Sequence, residues 1–343
     1  MKLLVLSGRE LHGLLPPDGC AEAMREALIA RALGRVCQPL RTVIRPDRTE
    51  GLIALMPAVL APAGEDGGPA PDPPAQPREG AYSLKAICIF PGNPARGLDT
   101  HQGVVLLSSA YTGEPVAVLN ASAVTEIRTA AVSVVATLLL ARADATELAI
   151  VGTGVQAGAH LLAMSAARRL TGIRVAGRDE ARARRFADAM RGRTAVPVTA
   201  CGSVAEAVDG AGIVVTATSS AEPVLRREWL APGAHINAVG ACLPQARELD
   251  TATMAAAALF ADSRESVLAE AGDYLLAEAE GAIGPGHVRA ELGEVLAGRA
   301  PGRTSGAEIT VFESLGLAVE DLAAAVLAYR NAVAVGEGSW VEF

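Results

Sequence analysis

The sequence predicts a protein of the α/β class, with a parallel, doubly wound sheet in the middle of the chain. A short apolar strand at 147–151 runs into the glycine-rich turn GTGVQA. Strand and helix patterns then alternate as far as residue 262. A region of a different pattern lies on either side of this series, which indicates a second domain.

The elements before the turn are mainly strands. Helical periodicity covers 16–35, and 40–58 favours two strands joined by a polar turn. The segment 61–80 holds six prolines and four glycines, which predicts a surface loop. Further strands are predicted at 82–90, 103–108 and 114–120, followed by a helix at 122–142 that is apolar nearly all round. Such a helix is expected to be buried.

The elements after the turn alternate. A helix extends to about residue 170, and the predictions that follow are strand 172–177, helix 179–192, strand 196–200, helix 203–210 and strands 212–219, 235–240 and 258–262. Strands joined by helices pair in parallel, so this region predicts a Rossmann-type sheet. The tail adds a strand at 307–313 and a helix at 315–332.

Composition excludes several classes of partner. The 343 residues carry a net charge of −8 with no basic run, which argues against nucleic acid and anionic membranes. The apolar run near 131–140 ends at Arg142, so no membrane span is expected. Five scattered cysteines and an apolar start too short for a signal peptide predict a cytoplasmic protein with small buried thiols. The histidines lack metal-ligand spacing, so no metal is predicted.

The glycine turn predicts a dinucleotide site. Gly152 permits the tight turn, Gly154 lets a pyrophosphate approach the backbone, and Ala157 lets helix and strand pack closely. At the end of the second strand, Gly177 stands where an acid would select NAD, and Arg178 follows. NADP(H) is therefore favoured, with NAD(H) as the alternative, and Asp179 fits a helix N-cap.

Three cations stand in apolar surroundings before the turn: Arg41, Lys85 and Arg128. A buried charge is costly without a partner, so each alone would suggest a structural ion pair. Together, and with no partner evident in the sequence, they favour a site that binds a carboxylate.

Several segments, in one order, resemble the ornithine cyclodeaminase/mu-crystallin family. They are SLKAICIFPGNPARGLDTHQGVV, VTEIRTAA, IVGTGVQAGAH, INAVGA with RELD, GDYLL with ELGEVLAGRAPGR, and ITVFESLGLAVED. The resemblance covers almost the whole chain apart from 61–80. It implies a homodimer, an amino or imino acid substrate, and a discontinuous α+β domain for substrate binding and dimerisation (1–125 and 306–343) beside a nucleotide-binding domain (126–305).

The resemblance also implies roles for residues. Arg41, Lys85 and Arg128 match the carboxylate-binding set, with Lys85 near the reacting nitrogen as our hypothetical proton relay. The positions that resemble cofactor contacts are Thr100, Arg128, Gly152, Gly154, Val155, Gln156, Arg178, Thr218, Val239, Gly240 and Ser314. For Thr218 and Ser314, a hydroxyl that satisfies the local backbone is the alternative. His101 could approach the cofactor. Asp321 is a second acid/base candidate, although a helix-face residue is the favoured interpretation.

One departure separates this chain from true ornithine cyclodeaminases, which carry an Asp just after the strand-ending glycines. Here Ala241 and Cys242 follow Gly240. An NAD(P)H-dependent ketimine reductase or amino-acid dehydrogenase is therefore favoured. The alternatives are a cyclodeaminase that converts ornithine to proline and ammonia with recycled NAD+, and a non-catalytic binding protein.

Overall fold

The computed structural model describes residues 2–61 and 80–343, and the chain divides into two compact units. The first comprises Met1–Arg128 and Leu317–Phe343, and the second comprises Thr129–Gly316. Most of the predicted loop at 61–80 lies outside the described residues.

The N-terminal segment of the first unit contains most of the strands of this unit. They are β1 (Lys2–Leu6), β2 (Val36–Cys37), β3 (Thr42–Ile44), β4 (Leu52–Leu60), β5 (Ala81–Ile89), β6 (His101–Ser109) and β7 (Pro115–Asn120). Its helices here are α1 (Gly8–Leu14), α2 (Pro17–Ala32) and the first turns of α3 (Ala121–Leu140). The sequence patterns missed β1, β2 and α1.

Among the described residues, the second unit contains the rest of α3, eight strands and seven further α-helices. The strands are β8 (Glu147–Val151), β9 (Gly172–Ala176), β10 (Val198–Ala200), β11 (Ile213–Thr216), β12 (His235–Ala238), β13 (Ala258–Ala261), β14 (Val288–Glu291) and β15 (Thr310–Glu313). The helices are α4 (Val155–Ala167), α5 (Glu180–Arg191), α6 (Val204–Val208), α7 (Thr251–Ala256), α8 (Arg264–Glu270), α9 (Gly272–Ala279) and α10 (Leu292–Leu296).

These strands form one parallel sheet in the order β10-β9-β8-β11-β12-β15-β13-β14. The predicted Rossmann-type sheet is confirmed. The strand predicted at 307–313 is placed differently from our expectation, because β15 pairs with β12 and β13 instead of joining the discontinuous domain. Its residues are buried on both faces, as a central parallel strand requires.

The chain then returns to the first unit through α11 (Ala318–Val335) and β16 (Ser339–Glu342). The sheet of this unit has the order β16-β1-β7-β6-β5-β4-β2, with β3 paired to β4. Along β5, Ser83, Lys85 and Ile87 are buried, whereas Tyr82 is exposed and Leu84 is half-buried. Helix α11 contacts β4, β5 and β6 and therefore covers the face that carries Lys85.

Helix α3 is buried, as predicted, over most of its length. It is also the one described helix that is long and apolar enough to cross a membrane, contrary to our expectation of no such stretch. An 18-residue stretch of this helix has a mean hydropathy of 1.6, and 72% of that stretch is buried inside the protein. This is weak evidence for a span, since the core helix of a folded domain has the same properties.

Candidate active site

Lys85 lies in the middle of β5 on the face that α11 covers. Its side chain is 3% exposed, and its Nζ lies 2.8 Å from Oδ2 of Asp321. It also donates a hydrogen bond of 3.4 Å to Oγ1 of Thr125 in the first turns of α3. The ammonium group is thus held from two helices while its strand fixes the backbone.

Arg128, one turn further along α3, joins the same group of charges. Its Nη1 donates to Oε2 of Glu320 at 2.6 Å, and its Nε donates to Oδ1 of Asp321 at 3.2 Å. The expectation that these cations lack partners is therefore wrong for Lys85 and Arg128. Two adjacent acids of α11 balance them, which offsets the cost of burial.

Arg41 is half-buried between β2 and β3, and its charge acts on Lys85. Burial is the largest effect on Lys85 and lowers the pKa of its ammonium group to about 8, although Asp321 opposes this change. The charges of Arg128 and Arg41 lower that pKa further. All three predicted cations therefore come together within the first unit.

Asp321 has a different environment from the one we favoured. It is fully buried between Lys85 and Arg128, and so it is not merely a residue on a solvent-facing helix surface. Glu320 and Thr125 were not singled out from the sequence. The signal for the acids was available, because two adjacent carboxylates stand in a mainly apolar helix, just as the cations stand in apolar segments.

The start of β6 lies close to this cluster. Burial lowers the pKa of His101, and the positive charges of Lys85 and Arg128 lower it further. The backbone oxygen of Thr100 accepts a hydrogen bond of 2.9 Å from the Phe90 amide, which ties the segment to the end of β5. The cofactor contacts expected of Thr100 and His101 stay predictions.

In the second unit, the glycine turn has the shape that a dinucleotide loop needs. Gly152 has φ of 127°, and an added Cβ would lie 2.4 Å from the Ala217 carbonyl oxygen. Gly154 is exposed, and a Cβ there would meet nothing within 4 Å. Only glycine fits the first position, whereas the second leaves open space beside the loop.

Helix α4 begins directly after this turn. Gly154 is its N-cap and supplies no side-chain hydrogen bond, so the first amides of the helix point outward without a capping side chain. Ala157 is fully buried, which permits close packing of helix on sheet. The exposed Val155 and the half-buried Gln156 begin the helix. The loop therefore fits a pyrophosphate group by shape and by helix dipole.

Other predicted cofactor residues follow the strands beside β8. Thr218 comes after β11, Val239 and Gly240 come after β12, and Ser314 comes after β15. Oγ1 of Thr218 accepts a hydrogen bond from the Ser220 amide, which is the local role that we weighed against binding. By contrast, the buried Oγ of Ser314 has no hydrogen-bond partner among the described residues.

The end of β9 agrees with the sequence analysis in one respect. Asp179 is the N-cap of α5 and accepts a hydrogen bond from the Arg182 amide, as predicted. Arg178 is exposed beside it. The preference for NADP(H) that Arg178 suggested stays a prediction.

Among the remaining histidines and cysteines, several are buried within the fold. His160 is buried, bonds to Ser133 and to the Gln156 carbonyl, and has its pKa lowered to about 4 by burial. Cys20 and Cys201 are buried as expected, but Cys37 is exposed. Within residues 2–61 and 80–343, no group of three or more His, Cys, Asp or Glu residues is arranged to hold a metal ion.

Comparison with known proteins agrees with this arrangement. The model of the ornithine cyclodeaminase/mu-crystallin family matches residues 2–336. The ketimine reductase mu-crystallin of Mus musculus is 40% identical over 298 residues, which cover 87% of this chain and 86% of that protein.

Two solved structures share the whole fold. The Δ1-pyrroline-2-carboxylate reductase of Thermococcus litoralis, in complex with NADH and L-proline, is 35% identical with a TM-score of 0.90, covering 98% of this chain and 99% of its own. An archaeal alanine dehydrogenase dimer with bound NAD is 32% identical with a TM-score of 0.88, covering 100% of both chains. This chain belongs to the ornithine cyclodeaminase/mu-crystallin family.

Proposed function

We propose that the protein reduces the C=N bond of a small cyclic imino acid to the corresponding amino acid, with NADPH as the preferred reductant. In broader terms, the chain is an NAD(P)-dependent oxidoreductase that acts on the C=N or CH–NH bond of an imino or amino acid, as its relatives are. The assignment of the substrate depends on one observation, the buried cluster of Lys85, Arg128 and Asp321 in the first unit.

The cluster suits a substrate that carries a carboxylate. Arg41 and Arg128 supply guanidinium groups, whose planar donors match a carboxylate. Lys85 has three N–H donors, and Asp321 and Thr125 engage two of them among the described residues. We assign the third donor to the substrate. Because the site is buried, each of these interactions is stronger than it would be in water.

Lys85 also suits the transfer of a proton. An ammonium group with a pKa of about 8 is mostly protonated at neutral pH and can still release its proton. We assign Lys85 the role of holding and relaying the proton at the substrate nitrogen. Asp321, whose carboxylate oxygen is 2.8 Å from Nζ, orients this ammonium group.

A bound nicotinamide cofactor would supply the hydride. The residues that would hold it are Gly152, Gly154 and the first amides of α4 for the pyrophosphate, with Thr218, Val239, Gly240 and Ser314 following neighbouring strands. The unpartnered Ser314 hydroxyl supports this set, since a buried hydroxyl ordinarily has a hydrogen-bond partner. Arg178 supports NADPH over NADH through the charge of a 2′-phosphate.

The test measures the loss of NADPH absorbance with Δ1-pyrroline-2-carboxylate. We expect stoichiometric oxidation of NADPH, and we expect Lys85→Ala to lose turnover as well as affinity. If Lys85→Ala loses affinity alone, the relay is refuted. If there is no oxidation, and ornithine with catalytic NAD+ releases ammonia, the protein is a cyclodeaminase. Cofactor binding without either reaction would identify a binding protein.

We also propose a homodimer that forms through the face of the first sheet opposite α11. The register places Val5, Val118, Leu106, Leu84 and Pro57 in one apolar row across five strands. Tyr82 and Val104, on the same face, are 46% and 43% exposed. An apolar face of this extent is typical of an association surface, and the alanine dehydrogenase relative is a dimer.

The dimer is tested by light scattering on variants. Val104→Glu combined with Leu106→Glu should yield monomers. Val333→Glu, a matched control at a 36% exposed position of α11 on the opposite side of the sheet, should remain dimeric. A monomeric wild type would contradict the proposal.

We also propose that the protein is located in the cytoplasm, which its five free cysteines support.

A further inference from the structure

The RELD segment, residues 247–250, follows β12 and has no part in the proposed chemistry. Its Glu248 is fully buried. Oε1 of Glu248 accepts a hydrogen bond of 2.6 Å from the Thr218 amide. Oε2 accepts one of 2.8 Å from Oγ1 of Thr216 and one of 2.7 Å from the Gly240 amide. A single carboxylate therefore ties together the ends of two strands.

Those two ends lie side by side. Strands β11 and β12 are parallel neighbours, and Thr216 pairs with Ala238 at their carboxyl ends. The backbones then approach so closely that a Cβ on Gly240 would lie 2.2 Å from the Thr218 carbonyl oxygen and 2.6 Å from Cδ of Glu248. In open parallel sheets this edge is where a dinucleotide binds. Thr218, Val239 and Gly240 are also residues for which the family resemblance implies cofactor contacts.

Glu248 is itself held in place by a second buried carboxylate. The amides of Glu248 and Leu249 both donate to Oδ1 of Asp273, each at 2.8 Å. Asp273 lies in the first turn of α9 and is fully buried. Asp273 of the GDYLL segment thus fixes the RELD segment, and Glu248 of the RELD segment in turn holds the loops that follow β11 and β12.

The chemistry of this support requires a carboxylate. Three donors converge on the two oxygens of Glu248, and a carboxylate is a group that only accepts. An amide of the same size would present its NH2 group to at least one of these donors. Burial raises the pKa of Glu248, and the hydrogen bonds from Thr218, Thr216 and Gly240 oppose that change.

We propose that Glu248 is a positioning residue that fixes the loops after β11 and β12 in the arrangement that binds the nicotinamide cofactor. The inference rests on cofactor binding at this edge, which is part of the proposed function, but it does not depend on the identity of the imine. A wild type that binds NADH and reduces no imine would refute the reductase and leave this inference intact.

The test compares Glu248→Gln with Asp250→Asn. Asp250 belongs to the same segment, but its Oδ1 accepts hydrogen bonds from the Thr253 amide, as the N-cap of α7, and from the Arg227 amide. The three donors that converge on Glu248, from Thr216, Thr218 and Gly240, are different ones. We expect both variants to lower Tm, and we expect Glu248→Gln alone to raise the Kd for NADH, by tenfold or more, with Kd measured by fluorescence titration. A merely structural role for Glu248 would lower Tm and leave Kd unchanged.

A milder variant keeps the test decisive if Glu248→Gln does not fold. Thr216→Val removes one hydrogen bond to Oε2 with little change of shape, at a residue that is itself fully buried. We expect it to raise the Kd for NADH at least threefold. A Kd within error of wild type in a folded Glu248→Gln or Thr216→Val variant, or an equal change in Asp250→Asn, would overturn the inference.

Discussion

Lys85 should set the pH at which the enzyme loses activity on the alkaline side. Its pKa is lowered to about 8, mainly by burial, with Asp321 acting in the opposite direction. In the proposed mechanism, the ammonium group both binds the carboxylate and supplies a proton. The kcat/KM should therefore reach a plateau well below pH 8, be about half-maximal near pH 8, and fall about tenfold for each pH unit well above it.

The size of the Asp321 effect follows from the geometry. Its Oδ2 lies 2.8 Å from Nζ, and both side chains are almost completely buried, at 3% and 1% exposure. An opposite charge at such a distance changes a pKa by roughly 1–3 units in favour of the charged form. Asp321→Asn should therefore move the alkaline limb of the profile to lower pH by about the same amount.

The assay is kcat/KM for imine reduction from pH 6 to 10 at saturating cofactor. Lys85→Arg is the matched control, because a guanidinium group stays protonated throughout this range. Any activity that it retains should show no limb near pH 8. A limb that persists in Lys85→Arg would belong to the substrate or to another group and would refute the reasoning. Circular dichroism establishes that Asp321→Asn has folded.

Three further predictions concern the second unit. Arg178→Asp should weaken NADPH binding far more than NADH binding, and equal losses in titration would refute the NADP preference. Gly154→Ala should lower the affinity for the cofactor and leave Tm unchanged. Gly152→Ala, at φ of 127°, should lower both the affinity and Tm. Burial and the charge of Asp273 raise the pKa of Glu313, so its contribution to stability is present at low pH and is lost as pH rises. Glu313→Gln should therefore raise the unfolding free energy at pH 7.5. A melting temperature no higher than that of wild type at that pH would contradict this.

Most strands of the second sheet were predictable because their signals are local, although the edge strand β14 was missed. Short apolar strands such as β11 and β13 are buried on both faces, so continuous apolar runs mark them. The glycine turn and the N-cap at Asp179 are also decided by a few adjacent residues. The same locality explains the error at β15. Its strand pattern was correct, but a strand pattern does not say which sheet the strand joins.

The first sheet was harder to predict because its edges pair over long sequence distances. β1 lies between β7 and β16, and Lys2 pairs with Glu342 at the other end of the chain. All four residues of β16 are exposed, so no alternation marks it. Pairings of this kind depend on the completed fold and leave no periodic signal in a short segment.

The cation cluster shows the same division between local and non-local information. Arg41, Lys85 and Arg128 stood out because each is a charge within an apolar segment. Their partners were missed, because adjacent acids in a helix usually face solvent and only the packing of α11 on β5 buries Asp321 beside Lys85. The sequence therefore identified the buried cations, whereas only the fold shows that Glu320 and Asp321 neutralise Lys85 and Arg128.

The departure noted after Gly240 has a structural counterpart that separates the two enzyme hypotheses. Ala241 is 1% exposed and offers only a methyl group. The Cys242 thiol donates to the Val239 carbonyl at 3.2 Å, so its proton is already engaged with the backbone. Cyclodeamination needs an acid/base for the second amine of its substrate, and neither side chain is suited to that role. Reduction of an imine needs only a hydride and one proton, and the Lys85 ammonium group can supply that proton.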